Sequence, residues 1–134
     1  MTTEGSIQLE DIKFHYPSKS DVQVIKGISI EVDQNQVVAL VGQSGCGKSS
    51  IIQLVERFYD PTDGKVLYNK TDIKQLDNTW YHQKQLAIVQ QEPILFSGSI
   101  RENILYGVDL EGLSKEQIQE RLEYACSQAN CLKF

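Results

Sequence analysis

Apolar and polar positions nearly alternate through Ile7, Leu9, Ile12, Phe14 and Tyr16, the pattern of a half-buried strand whose phase slips near Asp11. Pro17 then stops it, because proline cannot donate to a ladder. Ile28, Ile30 and Val32 alternate with Ser29 and Glu31 and predict a second amphipathic strand. Asp33-Gln34-Asn35-Gln36 reads as a turn in which Asn35 supplies a left-handed residue. Val37–Val41 is apolar at every position, as a strand covered on both faces would be. Ile51, Leu54, Val55 and Phe58 recur at helical spacing, and Asp60-Pro61-Thr62-Asp63-Gly64 ends that helix. Val66-Leu67-Tyr68 predicts a short strand, Trp80 a short helix, and Leu86–Val89 a further buried strand. Ser114 with Gln117 three residues on is a capping box, behind which Ile118, Leu122, Ala125, Cys126 and Ala129 line one helical face. Glu116, Glu120 and Arg121 turn away from that face. Mixed β-structure, then strand–helix, then more helix is an α/β architecture.

Composition narrows the function classes. The 134 residues are enough for one modest domain with one core, and 40% hydrophobic content suits an ordinary globular protein. A net charge of −5 without a basic block argues against nucleic acid as the main partner. The longest apolar run, Val37–Val41, is far short of a membrane span, and the N-terminus lacks the basic and apolar regions of a signal peptide. Cys46, Cys126 and Cys131 are odd in number and form no CxxC pair, so reduced thiols in a cytosolic setting are expected and a zinc site is not.

The chemistry is concentrated after Val41. Gly42-Gln43-Ser44-Gly45-Cys46-Gly47-Lys48-Ser49 fits the phosphate-binding P-loop pattern G-x-x-x-x-G-K-[ST] at every fixed position, with Ser50 following. Its glycines let backbone amides approach phosphate oxygens, and a helix starting near Lys48 offers unpaired N–H groups and a positive dipole end. Lys48 can reach the terminal phosphates, and the Ser49 hydroxyl can ligate Mg²⁺. A chance match in a chain of this length has odds of roughly half a per cent. Beside Lys48 and a helix N-terminus, Cys46 is expected to be a reactive thiol.

The loop alone names neither base nor reaction. Asn69-Lys70-Thr71-Asp72 spells the guanine-reading NKxD and Asp109-Leu110-Glu111-Gly112 spells DxxG, but a GTPase needs them in the opposite order. NKTD here falls soon after the first helix, in an apparent hairpin turn.

A wider set of segments carries a resemblance. Ala39 to Ser50, Arg57-Phe58-Tyr59-Asp60-Pro61, Val89-Gln90-Gln91-Glu92-Pro93 and the stretch Leu95 to Ile104 together resemble the nucleotide-binding domain of ABC exporters of the P-glycoprotein-like multidrug type. The resemblance runs from about Ile7 to Phe134. It implies the P-loop NTPase fold of the ABC cassette: an N-terminal β-subdomain, the P-loop strand and helix, and the start of a helical subdomain. It also implies ATP and Mg²⁺ as ligands. Tyr16 matches the A-loop aromatic that stacks on adenine, although its pattern alone reads as core. Gln91, immediately before Glu92-Pro93, matches the Q-loop glutamine that approaches Mg²⁺ and the attacking water. Glu92 to Asn103 would face the coupling helices of a transmembrane domain, with Ile94-Leu95-Phe96 as an apolar docking patch. A second nucleotide-binding domain would close over the P-loop, placing the chain at the cytoplasmic face of a membrane.

This sequence departs from the family in places. Asn35 stands where Gly is usual, Ser50 replaces a common Thr, and Tyr81-His82 replaces a usual Leu-Arg. No apolar strand ending in Asp-Glu follows the P-loop, Phe96-Ser97-Gly98-Ser99 only superficially resembles the LSGGQ signature, and the D-loop is absent. Neither His15 nor His82 stands where the switch histidine belongs. The resemblance therefore implies the front part of a cassette (A-loop, Walker A and Q-loop) across residues 1–134, inactive in hydrolysis alone. The alternative is a truncated, non-hydrolysing nucleotide-binding or interaction module. In either case Val37–Val41, without the acidic strand beside it, would expose an unpaired apolar edge.

Overall fold

The computed structural model describes residues 5–132, which pack as two units divided between Ala87 and Ile88. The first is a four-stranded antiparallel sheet with a helix against it. Its strands are β1 (Ile7–Phe14), β2 (Ile25–Val32), β3 (Asp63–Tyr68) and β4 (Thr71–Asp72), in the order β2-β1-β3-β4. Helix α1 covers Lys48–Val55, and a short α2 (Asn78–Trp80) runs on into a wider π-type turn at Tyr81–Gln85.

The expected slip at Asp11 is a β-bulge. Leu9 pairs with both Ile30 and Val66, the register then shifts, and Asp11 takes a positive φ of 45°. One extra residue moves the inward positions from Leu9 to Ile12 and Phe14, so all three are buried on one side of a strand whose simple alternation would have split them. Ser29 holds the bulge: its hydroxyl accepts from the Asp11 N–H at 3.0 Å and donates to the Asp11 carboxylate at 3.2 Å. Gly64 lies against the bulge, where a Cβ would stand 2.2 Å from the Glu10 carbonyl oxygen, at a φ of +86°.

Leu9, Ile12, Phe14, Ile25, Val66 and Tyr68 from the sheet meet Ile51 and Leu54 from α1, with Ile73 and Tyr81 closing the core. Tyr81 is fully buried and donates its hydroxyl to the Val55 carbonyl at the end of α1. The NKTD segment is the β3–β4 hairpin: Asn69 and Lys70 both have positive φ, the geometry of a two-residue primed turn. Asn69 accepts from the Ser6 N–H and Asp72 from the Lys74 N–H. These side chains are occupied in holding a turn, which removes the guanine reading. Asn35 has the expected left-handed conformation.

Three expectations need correction. Val37–Val41 is no strand and is not covered: no strand among the described residues pairs with it, Val37 is 99% and Val41 91% exposed, and only Leu40 packs against the core. Apolar surface is exposed there, but as irregular chain and not as the strand edge anticipated for it. Leu86–Val89 likewise forms no strand; Leu86 packs on the core while Val89 is 98% exposed. An apolar run specifies that burial is favourable, but a strand also needs a ladder partner. Finally, α1 ends at Val55 and does not reach Phe58. Arg57 turns left-handed, with its N–H on the Leu54 carbonyl and the Phe58 N–H on that of Gln53, a Schellman ending. Its guanidinium donates to the carbonyls of Ile73, Lys74 and Leu76, which holds the conformation against the steric cost. Phe58 is left outside, stacked on His82.

The second unit is helical, with α3 (Ile100–Leu105) and α4 (Lys115–Gln128). The Ser114/Gln117 capping box is present, and an unforeseen second box joins Ser99 and Glu102. Hydrogen bonds from the Ser99 backbone and hydroxyl hold the Glu102 carboxyl below its ordinary pKa. On α4, Ile118, Leu122 and Cys126 form a half-buried stripe with Glu116, Glu120 and Arg121 exposed, as expected; Ala125 and Ala129 lie outside it.

Two outcomes follow from this packing. Gly64→Ala combines a positive φ with a backbone clash and should lower stability in urea unfolding by at least about 3 kcal/mol, whereas Gly27→Ala, with open space around it, should cost about 1–2 kcal/mol. Burial, then the neighbouring Tyr68, pushes the Tyr81 pKa up from 10.0 to about 12. The folded state keeps a proton that the unfolded chain loses above pH 10, so stability should fall between pH 10 and 12. Tyr81→Phe should flatten that limb.

Candidate functional site

The phosphate loop begins where the exposed valine segment ends. Residues 42–47 form an irregular loop that feeds directly into α1. Gly47 is the residue before the helix, with φ of 97° and ψ of 8°; a Cβ there would also press on Ile25 and Val24. No side chain caps this end of α1, so its first N–H groups remain available to an anion. The Ile51 N–H is the one that returns to the Gly47 carbonyl and starts the helical ladder.

Lys48 lies in the first turn and folds back over its own loop. Its ammonium donates to the carbonyls of Gly42 and Gln43, each at 2.8 Å, with Cys46 Sγ at 3.6 Å. Carbonyl dipoles are weaker acceptors than phosphate oxygens, so an incoming phosphate can take over these donors. Cys46 is exposed beside this ammonium.

Tyr16 comes from the far end of the β1 segment and meets the loop here. Its hydroxyl donates to Gln53 Oε1 at 2.8 Å and accepts from Ser50 Oγ at 2.8 Å. Its ring packs edge-on to Phe14 and Tyr59, with centroids 4.9 and 5.2 Å away. Tyr16, Val24, Ser44, Gly45, Gly47, Lys48, Ser49 and Ser50 together line a cavity of about 420 Å³. Lys48 is the one charged side chain in that lining, so the hollow is positive in a chain whose net charge is −5.

The expected site residues thus separate into three groups. Tyr16, Ser44, Gly45, Gly47, Lys48, Ser49 and Ser50 share one cavity, and Gly42, Gln43 and Cys46 form the loop behind it. The Ser50 hydroxyl is buried and bonded to that of Tyr16. Gln91 belongs to the second unit, in an exposed bend. Val24 and Gln53 were not foreseen. Val24 reaches the wall because its N–H bonds the Phe14 carbonyl, and Gln53, one helical turn beyond Ser50, accepts from the Tyr16 hydroxyl. No motif marks either residue; the i, i+3 spacing of Ser50 and Gln53 was the one available signal.

The pattern that defines the ABC transporter family matches residues 25–133. The chain belongs to this family. Relatives within it include human "ATP-binding cassette sub-family B member 5", 41% identical over 99% of this chain, and "Multidrug resistance protein 1" of Entamoeba histolytica, 46% identical over 98%. "ABC multidrug transporter MDR2" of Trichophyton equinum is 44% identical over 99%. The chain spans about a tenth of the length of these relatives, 10% in each case. Among solved structures, a bacterial Atm1-family ABC exporter with ATP bound superposes with a TM-score of 0.84 at 34% identity, over 100% of this chain and 22% of that one. The ABC-cassette fold read from the sequence is therefore the fold of this chain.

The Tyr16 hydroxyl supplies a direct check on how this family site is held together. Tyr16→Phe removes both hydrogen bonds and leaves Ser50 buried without a partner, so it should lower stability by about 1–3 kcal/mol in urea unfolding. Adding Ser50→Ala should recover part of that loss.

Proposed function

We propose that this chain binds ATP as the phosphate- and adenine-holding part of an ABC exporter's nucleotide-binding domain. The observation that carries the reading is the shared cavity, in which the uncapped start of α1, Lys48 and Ser49 lie together with the ring of Tyr16. Helix N–H groups and the ammonium suit the phosphates, the exposed Ser49 hydroxyl suits Mg²⁺, and an aromatic ring suits a purine face. The residues present therefore fit Mg-ATP. Gln91 is the proposed second Mg²⁺ contact and the group that approaches the attacking water.

The wider reading rests on relatives of which one is named a multidrug transporter and another a multidrug resistance protein. Coupling of hydrolysis to transport needs a membrane domain and a second cassette, and no helix among the described residues is long and apolar enough to cross a membrane. The segment proposed to meet the coupling helices, Glu92 to Asn103, exposes Ile94 and Leu95 at 76% each and Phe96 at 56%. In that setting the site lies at the cytoplasmic face of the membrane.

Equilibrium binding with ATP, ADP and inorganic triphosphate tests the assignment. Lys48→Ala should weaken ATP by about ten- to a hundredfold, through loss of charge-assisted bonds. Tyr16→Ala should weaken ATP and ADP by about tenfold more than it weakens triphosphate, the excess reporting the lost ring. This chain alone should release no phosphate at steady state, because it carries no Asp-Glu strand to polarise water. Equal ATP binding by the Lys48 variant would sink the reading, whereas steady turnover would overturn only the expectation that this chain is inactive in hydrolysis alone.

A further inference from the structure

Helix α4 ends in a Schellman motif built from cysteines. The Cys131 N–H donates to the Cys126 carbonyl at 2.9 Å, and the Asn130 N–H to the Ser127 carbonyl at 3.0 Å. Asn130 takes the left-handed conformation that this ending requires, with φ of 56°. The two residues joined by the outer bond of such a motif ordinarily bring their side chains into contact, and here both are cysteines. The Cys131 thiol accordingly sits 3.5 Å from the Cys126 carbonyl oxygen. A backbone bond between the two residues holds their Cα atoms within the separation that a disulfide spans.

Both thiols are free and half-buried, so a small reagent can reach them. Partial burial, then the hydrogen bond and charge of Cys131, hold the Cys126 thiol above its ordinary value. Two apolar residues would make the same contact without redox chemistry; two thiols add it.

We propose that Cys126 and Cys131 form a reversible dithiol–disulfide site, oxidised by a low-molecular-weight disulfide of the glutathione type. The Cys131 thiolate attacks one sulfur of the oxidant, forming a mixed disulfide and expelling one thiolate. Cys126 then loses its proton to water, attacks the Cys131 sulfur and expels the second. Two protein thiols are oxidised and one small disulfide is reduced to two thiols. The new bond closes a ring over Ser127–Asn130 and locks the left-handed Asn130, so the end of α4 can neither fray nor extend. The site is separate from the nucleotide cavity and does not rest on the ATP reading.

The test equilibrates the full chain in buffers of oxidised and reduced glutathione, quenches with acid, alkylates, and maps the thiols by mass spectrometry. A Cys126–Cys131 linkage is expected, with Cys46 outside it. At one glutathione ratio, the disulfide-to-dithiol ratio should be at least about tenfold higher in buffer than in urea, since the folded helix end supplies the proximity. Cys126→Ser should stop at the glutathione adduct on Cys131. Asn130→Val, which resists the left-handed conformation, should lower closure toward the urea value, while Asn130→Gly should retain it. Equal closure in buffer and urea would overturn the proposal. So would persistence of the adduct in the native chain, linkage to Cys46 or to a second chain, or unchanged closure in Asn130→Val.

Discussion

The Tyr16 hydroxyl, 2.8 Å from both Ser50 Oγ and Gln53 Oε1, ties the end of the central strand to the first turns of α1. Much else in the first unit follows from that attachment. It fixes where the phosphate loop must open, because the loop is whatever precedes a helix already pinned to the sheet. It brings an aromatic ring to the mouth of a cavity whose other wall is the uncapped helix start. It also gives Ser50, a buried polar residue in the core, the partner that burial demands. The sheet must itself be in register for this to work, and the bulge at Asp11 sets that register by returning Ile12 and Phe14 to the inner face.

The two ends of the chain's longer helices illustrate how the same motif serves different purposes. Both α1 and α4 close with Schellman hydrogen bonds around a left-handed residue that is not glycine. At α1 that residue is Arg57, whose guanidinium bonds to three carbonyls offset the strain and turn the helix end into an anchor for the Ile73–Leu76 segment. At α4 it is Asn130, which tolerates the conformation by itself and brings the Cys131 thiol to the Cys126 carbonyl. The first ending belongs to the sheet unit. The second is a chemical feature of the helical unit alone.

Exposed apolar surface is concentrated in segments that carry no regular structure. Val37 and Val41 lead into the phosphate loop, and Val89, Ile94 and Leu95 surround Gln91. Such surface is expensive to leave in water, at roughly 25 cal/mol per Å². The chain that carries it spans a tenth of its relatives' length.

Local sequence determined a good deal of this protein. The bulge near Asp11, the left-handed Asn35, the NKTD hairpin, the Ser114 capping box and the start of α1 at the P-loop all leave a mark in local spacing and residue type and so were legible, although Ser29 and Ser6 add distant bonds to the bulge and the hairpin. The family was legible too, since its motifs are ordered along the chain. Tertiary structure alone decided the rest. Whether Val37–Val41 and Leu86–Val89 became strands depended on distant ladder partners, which no local pattern encodes. The early end of α1 depended on carbonyls that Arg57 finds sixteen to nineteen residues away. The part played by Ser50 depended on a tyrosine thirty-four residues earlier. Periodicity records which positions favour burial; it does not record which other part of the chain arrives to bury them.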